Sequence, residues 1–257
     1  MPELPDVEGF RRYFNRFAAG KRVERVEVLD RTMLRNTSSQ ALGRALRGQR
    51  LDRAGRHGKW LLAPAGGPVL LLHFGMTGLL HWWSDHAEPH RHDRVVLRLT
   101  GGSLSYRNMR KFGGLWLARE GEVEKATGPL GPDAASIDRE DFAELVAGRR
   151  GAIKALLMDQ RAIAGAGNLL GDEALWRARI HPRRPANELS KAKVRALYDS
   201  LEATIRESNR HGRIPPIEGW LTGVRDRRGP CPRCGTRVRK ATVAGRTACW
   251  CPRCQRA

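Results

Sequence analysis

The chain has 257 residues, 40% hydrophobic and 29% charged, and its 47 Lys plus Arg against 27 Asp plus Glu give a formal charge of +20. That length admits one or two domains with a real core, no apolar stretch approaches the roughly 18 residues of a membrane span, and the two prolines and two acids at the start are unlike a secretory signal. A cytoplasmic protein is expected, and the cationic excess points to a polyanion, most often nucleic acid, rather than to self-repulsion serving solubility alone.

Residues 5 to 19 read as a helix, with Val7, Phe10, Phe14 and Phe17 on one face and Gly20 as its stop. These aromatics are core candidates. From Arg22 to about Arg119, short runs rich in Val, Leu and aromatics alternate with Gly, Pro and Asp. Examples are Arg22 to Leu29, Lys59 to Ala63, Val69 to Phe74, Arg94 to Leu99 and Leu115 to Ala118. This pattern predicts several short strands forming a sandwich or barrel. Gly121 to Ser136 reads as a linker. Asp138 to Ala147, Ile153 to Met158, Asn168 to Arg177 and Ser190 to Ser208 carry helical spacing, with Asn168 and Ser190 as N-caps.

The cysteines all fall in the last 27 residues. Cys231-x2-Cys234 and Cys251-x2-Cys254 have the spacing of two knuckles around one tetrahedral, structural zinc ion. Cys249 is left as a free thiol. Ten Lys and Arg against the single Asp226 make the segment from Arg225 basic, which suits phosphate. The histidines His81, His86, His90 and His92 lie with Glu88, Pro89 and basic residues, which argues against a preformed metal cage there.

The opening Met1-Pro2-Glu3-Leu4-Pro5-Asp6 has a chemical reading. Trimming of Met1 would expose the secondary amine of Pro2, part of it neutral and nucleophilic near pH 7. Its attack on a sugar C1′ gives a cationic iminium, an electron sink for elimination, with Glu3 to move protons. Taken alone, the same residues also read as a stiff, acidic start.

The chain as a whole resembles the formamidopyrimidine-DNA glycosylase and endonuclease VIII family. The resemblance rests on Pro2 to Glu8, Arg56-His57-Gly58-Lys59-Trp60-Leu61-Leu62, His73-Phe74-Gly75-Met76-Thr77-Gly78 and Arg110-Lys111-Phe112-Gly113. It continues through Asp159-Gln160, Gly165-Ala166-Gly167-Asn168, Asp172-Glu173-Ala174-Leu175 and Ile180-His181-Pro182 to the four-cysteine ribbon, in that order. It implies an α+β multidomain protein. An N-terminal helix and β-sandwich (1–120) would be followed by the linker (121–136), a helix-two-turns-helix domain (137–224) and a zinc ribbon (225–257), with DNA in the cleft between. It implies a monomeric DNA glycosylase and abasic-site lyase acting on double-stranded DNA that carries damaged bases or abasic sites. Pro2, Glu3, Lys59 and Arg246 would be catalytic, with Arg246 gripping phosphates beside the lesion.

By the same resemblance, Met76, Arg110 and Phe112 fill the void left by a flipped base. His92, Arg150, Lys154 and Asn168 contact phosphate or lesion, while Gly165 and Gly167 let the backbone approach a phosphate. The sequence departs from the pattern at Asp6, at Leu170-Gly171 and in the compact stretch 210–230, which contains Ile214-Pro215-Pro216-Ile217. The short stretch suggests poor capping of 8-oxoguanine and better use of abasic sites, ring-opened purines or oxidised pyrimidines. A non-catalytic DNA-binding scaffold and an RNA-binding ribbon protein are the alternatives.

Overall fold

The computed structural model describes residues 2–84, 88–214 and 218–256; His86 and Pro215, Pro216 and Ile217 lie outside them. The chain divides into two compact units, one of residues 1–2 and 6–129, the other of residues 3–5 and 130–257.

The first unit opens with all but the first two residues of α1 (Leu4–Phe17), which Gly20 ends at φ 82°. Val7, Phe14 and Ala18 are wholly buried on one helical face, each large side chain contributing roughly 2 kcal/mol by leaving water. Two antiparallel four-stranded sheets follow. One is ordered β1 (Val23–Val28), β6 (Asp93–Leu99), β7 (Gly102–Asn108), β5 (Gly78–Trp83). The other is ordered β2 (Gly55–His57), β3 (Trp60–Pro64), β4 (Pro68–His73), β8 (Gly114–Arg119). Both sheets feed one core that includes Leu61, Leu70, Val95 and Leu104. This is the expected β-sandwich.

The apolar run of β4 is buried on both faces. Leu70 and Leu72 enter the main core, whereas Val69 and Leu71 pack with Trp60, Trp116 and α3 (Val123–Thr127). A strand buried on both sides loses the alternation of a half-exposed one. A helix, α2 (Ser39–Leu46), interrupts the stretch expected to be all strand, capped by the Ser38 hydroxyl, which accepts from Ala41 N at 3.1 Å.

The second unit holds α4 (Arg139–Ala147), α5 (Ile153–Met158), α6 (Asn168–Arg177), α7 (Lys191–His211) and α8 (Leu221–Arg225), then the hairpin β9 (Arg239–Val243) and β10 (Arg246–Trp250). Ser190 caps α7, as expected. The ribbon is no separate body: Trp176 and Leu221 share a core cluster with Cys231, Val238, Cys249 and Cys251. Nor is 121–136 a plain linker. It contains α3, and Gly131 N and Ala134 N donate to the carbonyls of Gln160 and Ala164, which stitches its second half to the helical unit. Among the described residues, no helix is long and apolar enough to cross a membrane.

Candidate functional site

The turn before α6 is built by Gln160. Its side-chain nitrogen donates to the carbonyls of Met158 (3.1 Å) and Ala166 (2.9 Å), and its oxygen accepts from Gly165 N at 3.0 Å. Gly165 takes φ +104°, and Leu4 N donates to its carbonyl at 3.1 Å. Glu3, only 2% exposed, then sets its carboxylate on the start of α6, accepting from Leu169 N at 2.8 Å and Leu170 N at 3.1 Å. A Cβ on Gly167 would lie 2.3 Å from the Glu3 Cδ.

This corrects one expectation and adds to another. The space a side chain would need at Gly165 and Gly167 is taken by Leu4 and Glu3. Asn168 is the first helical residue and not the cap, a position held by Gly167. The acidic side chain at this helix start is the chain's own Glu3. The Asn168 Oδ1 is buried and accepts no hydrogen bond from the described residues.

One turn along α6, Asp172 forms a buried hub. It accepts from Lys154 Nζ at 2.5 Å, Arg225 Nε at 3.1 Å and Cys249 N at 3.0 Å. Lys154 Nζ and Arg225 also donate to the Thr247 carbonyl, at 2.9 and 3.1 Å. Burial pushes the Asp172 carboxyl up and the Lys154 ammonium down, and the ion pair opposes both shifts. Lys154 has no exposed surface. Contrary to expectation it faces inward, and the interaction spends its charge on docking β10 to the helices. Arg150 is exposed, as a phosphate contact requires.

The hub reaches Thr247, the neighbour of Arg246. Arg246 is exposed and follows the two-residue turn Ala244-Gly245, whose φ values of 47° and 73° fit the hairpin turn that needs both positive. At the other end of the ribbon, the Sγ atoms of Cys231, Cys234, Cys251 and Cys254 lie within 4.8 Å of one another. Four thiolates about 2.3 Å from a central zinc meet that spacing. The Trp176 indole N–H points at Cys231 Sγ (3.3 Å), and Gln255, buried, accepts from Cys251 N and donates to the Ile180 carbonyl. The donor set fits one structural zinc. Cys249 stays outside it, in the core, its thiol pushed up to about 11 first by burial and then by Asp172.

In the first unit, Pro2 is partly exposed. Lys59 was expected on a strand; it sits instead in the Gly58-Lys59 turn joining β2 to β3, and is only 8% exposed, which excludes an ordinary surface lysine. Near it, burial and the Lys59 charge hold His73 down to about 4, so the ring is neutral. Glu8, on α1, accepts from Arg11 and Arg12 and lies 3.5 Å from Arg56.

The three side chains expected to wedge into DNA are all exposed. Met76 is 38% and Phe112 51% exposed, and the Arg110 guanidinium lies 5.3 Å from the Phe112 ring. Their loops are joined at Asn108, which is wholly buried. Its amide nitrogen donates to Phe112 O (2.6 Å) and Tyr106 Oη (2.9 Å), and its oxygen accepts from Thr77 Oγ1 and Lys111 N, both at 3.0 Å. Lys111 takes φ 56° and pairs with Asp30, whose carboxyl this contact holds down to about 2. A side chain on Gly75 would strike the Phe112 carbonyl. His92 is partly exposed in the turn before β6, beside Arg94. Sequence reasoning missed Asn108, Asp172 and Arg225. Asn108 carried a faint signal, as a polar residue that ends an inward-alternating strand just before the Arg110 loop.

A β-sandwich, a helix-two-turns-helix segment and a four-cysteine ribbon define a helix-two-turns-helix zinc-ribbon protein. Family models match in the same order: the formamidopyrimidine-DNA glycosylase N-terminal domain over residues 1–115, the H2TH domain of the same family over 130–214, and the zinc finger found in FPG and IleRS over 229–257. The formamidopyrimidine-DNA glycosylase of Roseiflexus sp. is 40% identical, covering 100% of both chains, and that of Symbiobacterium thermophilum is 39% identical, covering 99% of this chain and 89% of its own. The Lactococcus lactis enzyme in complex with DNA containing N7-benzyl-Fapy-dG matches with a TM-score of 0.89 at 28% identity, covering 100% of both chains. The chain belongs to the formamidopyrimidine-DNA glycosylase family.

Proposed function

We propose that the protein is a bifunctional DNA glycosylase and abasic-site lyase of base excision repair, with Pro2 as nucleophile. The observation that carries this reading is the seat of Glu3: a buried carboxylate next to Pro2, fixed by two helix amides. Solved relatives support a DNA substrate, since one Lactococcus lactis structure is described as bound non-covalently to DNA containing an abasic site.

In the proposed reaction the Pro2 nitrogen bonds to C1′ while the glycosidic bond breaks and the base leaves with a proton. The C1′–O4′ bond then opens, O4′ takes a proton, and a C1′ iminium remains. Loss of a C2′ proton expels the 3′ phosphate, and loss of the C4′ proton then expels the 5′ phosphate. Glu3 stabilises the cation and moves protons; Lys59 is the second proton carrier. Met76, Arg110 and Phe112 occupy the gap in the duplex, and Arg246, Arg150, Asn168 and His92 hold the strand. Zinc shapes the ribbon and takes no chemical part.

Borohydride trapping on an abasic duplex tests this. A covalent adduct is expected with Pro2 as the first residue and none when Met1 is retained. Equal trapping in both forms overturns the nucleophile, and no trapping in either favours the non-catalytic DNA-binding reading. Gly167→Ala displaces Glu3 and is expected to slow base excision on the order of 10²-fold.

The lesion preference is part of the same proposal. Residues 218–230 are tied down: Trp220 is 6% exposed beneath the Arg177 guanidinium at 4.2 Å, and Thr222 N donates to Glu173 at 3.1 Å. A segment anchored this way makes a poor mobile cap, so abasic sites, ring-opened purines or oxidised pyrimidines are processed better than 8-oxoguanine opposite cytosine.

A further inference from the structure

The end of α6, the loop to α7 and the knuckle side of the ribbon enclose a groove of about 860 Å³. Its cations are Arg179, Arg184, Lys193, Arg233, Arg253 and Arg256, opposed by Glu188. Half of them have structural work. Arg233 covers the Trp176 ring at 4.4 Å and donates to the Trp176 carbonyl, Lys193 donates to the carbonyls of Ala178 and Arg179, and Arg184 lies 3.9 Å from Glu188. Arg233 and Lys193 satisfy the carbonyl end of α6.

The side chains of Arg179, Arg253 and Arg256 are different. All three residues are exposed, and their guanidinium groups make no hydrogen bond or ion pair among the described residues. Arg179 holds φ 55° just past the helix end, where glycine is the easy choice. A zinc ion with four thiolates carries two negative charges, and the lining stays net positive after they are counted.

The groove is remote from the DNA-facing residues of its own unit. The ten residues of α6 separate it, by roughly 15 Å, from Glu3 and Asn168. The length of β10, roughly 16 Å, separates the knuckles from Arg246.

We propose that this groove binds an acidic, extended peptide segment of a partner protein while the enzyme holds DNA. Three free arginine forks suit carboxylates. The adjoining start of the 21-residue helix α7, capped by Ser190, adds partial positive charge. Ile180 and Leu189 give apolar footing. A duplex is too broad to enter. A single strand would need a stacking platform, yet the ring lining the groove, His181, already lies edge-on to Trp250 at 5.2 Å.

The test uses the full zinc-loaded chain and a fluorescent decapeptide of Asp and Glu interspersed with Leu and Ile. Anisotropy is expected to show binding that a saturating abasic-analogue duplex leaves intact. The triple variant R179E/R253E/R256E is expected to weaken peptide binding at least about tenfold, and its Gln counterpart by less, with duplex affinity and zinc content unchanged. Displacement of the peptide by duplex overturns the proposal, because the peptide then sits on the DNA surface. So does parallel loss of duplex and peptide affinity, which makes the groove part of the DNA footprint. Unaltered peptide binding by both variants overturns it as well.

Discussion

In the first unit the loops that carry Met76, Arg110 and Phe112 hang on one neutral amide, Asn108, whose two ends serve five backbone and hydroxyl partners. In the second, the strand carrying Arg246 hangs on a buried carboxylate, Asp172, which takes two cations and a backbone amide. Both devices fix backbone so that an exposed side chain starts from a set place, and they differ in stakes. A neutral hub removed leaves a few unsatisfied groups, whereas a charged hub removed leaves uncompensated charges in a poorly polarisable interior. The difference suits the proposed roles. In that proposal Met76 and Phe112 slip into and out of a base stack, and a local network of hydrogen bonds is enough for them. Arg246 would meet a phosphate at a fixed place, and the ribbon holding it is a small hairpin that needs docking.

Breaking the charged hub is the larger effect. Asp172→Ala is expected to destabilise the second unit by about 3–5 kcal/mol, because Lys154 is left buried and unpaired. Calorimetry should show the loss, while the zinc content of the folded protein stays at one per chain. Asp172→Asn keeps an acceptor for Cys249 N and is expected to lose less. A loss below about 1 kcal/mol in the alanine variant would mean the ribbon is docked by its apolar contacts alone.

Breaking the neutral hub comes next. Asn108→Ala is expected to take about 1–3 kcal/mol from the first unit, since the Phe112 carbonyl and Lys111 N–H lose partners. The sharper readout is functional: excision should slow while affinity for undamaged duplex, set by phosphate contacts, holds. Equal loss of both would show that Asn108 does no more than support the fold.

These two hubs also mark the limit of what the sequence conveys. The cysteine spacing stated the zinc site, the strand-rich stretch stated the sandwich, and the order of motifs stated the family, because each is a local pattern. Asp172 and Lys154 lie 18 residues apart and Arg225 another 53 beyond Asp172, so nothing local says that they meet. Lys154 was misread for that reason: a lysine near a DNA-binding motif looks like a phosphate contact until burial shows which way it turns. Asn168 was misread as a cap because the amides a capping side chain would serve are taken by Glu3, 166 residues away from the Leu169 N–H whose hydrogen bond it accepts. The strand assigned to Lys59 failed on a boundary of one residue, and that residue decides whether its side chain tips a turn or lines a face.

The smallest expected effect sharpens the comparison at the hairpin that carries Arg246. Ala244 sits at φ 47° and Gly245 at φ 73°. An L-residue with a Cβ pays roughly 1 kcal/mol for that conformation, and asparagine, which bonds locally, tolerates it better. Ala244→Asn therefore creates the favoured Asn-Gly turn between Val243 and Arg246, the pair that closes the hairpin. The variant is expected to gain about 0.5–1 kcal/mol in the second unit and to leave the first unchanged. Zinc holds the far end of the ribbon and the Asp172 hub holds β10, so the gain should be most visible when one of them is weakened, above all in the Asp172→Asn background. If the turn and the hub act on the same docking step, the double variant recovers more stability than the sum of the single changes; simple additivity would show that the hairpin tip and the hub are independent.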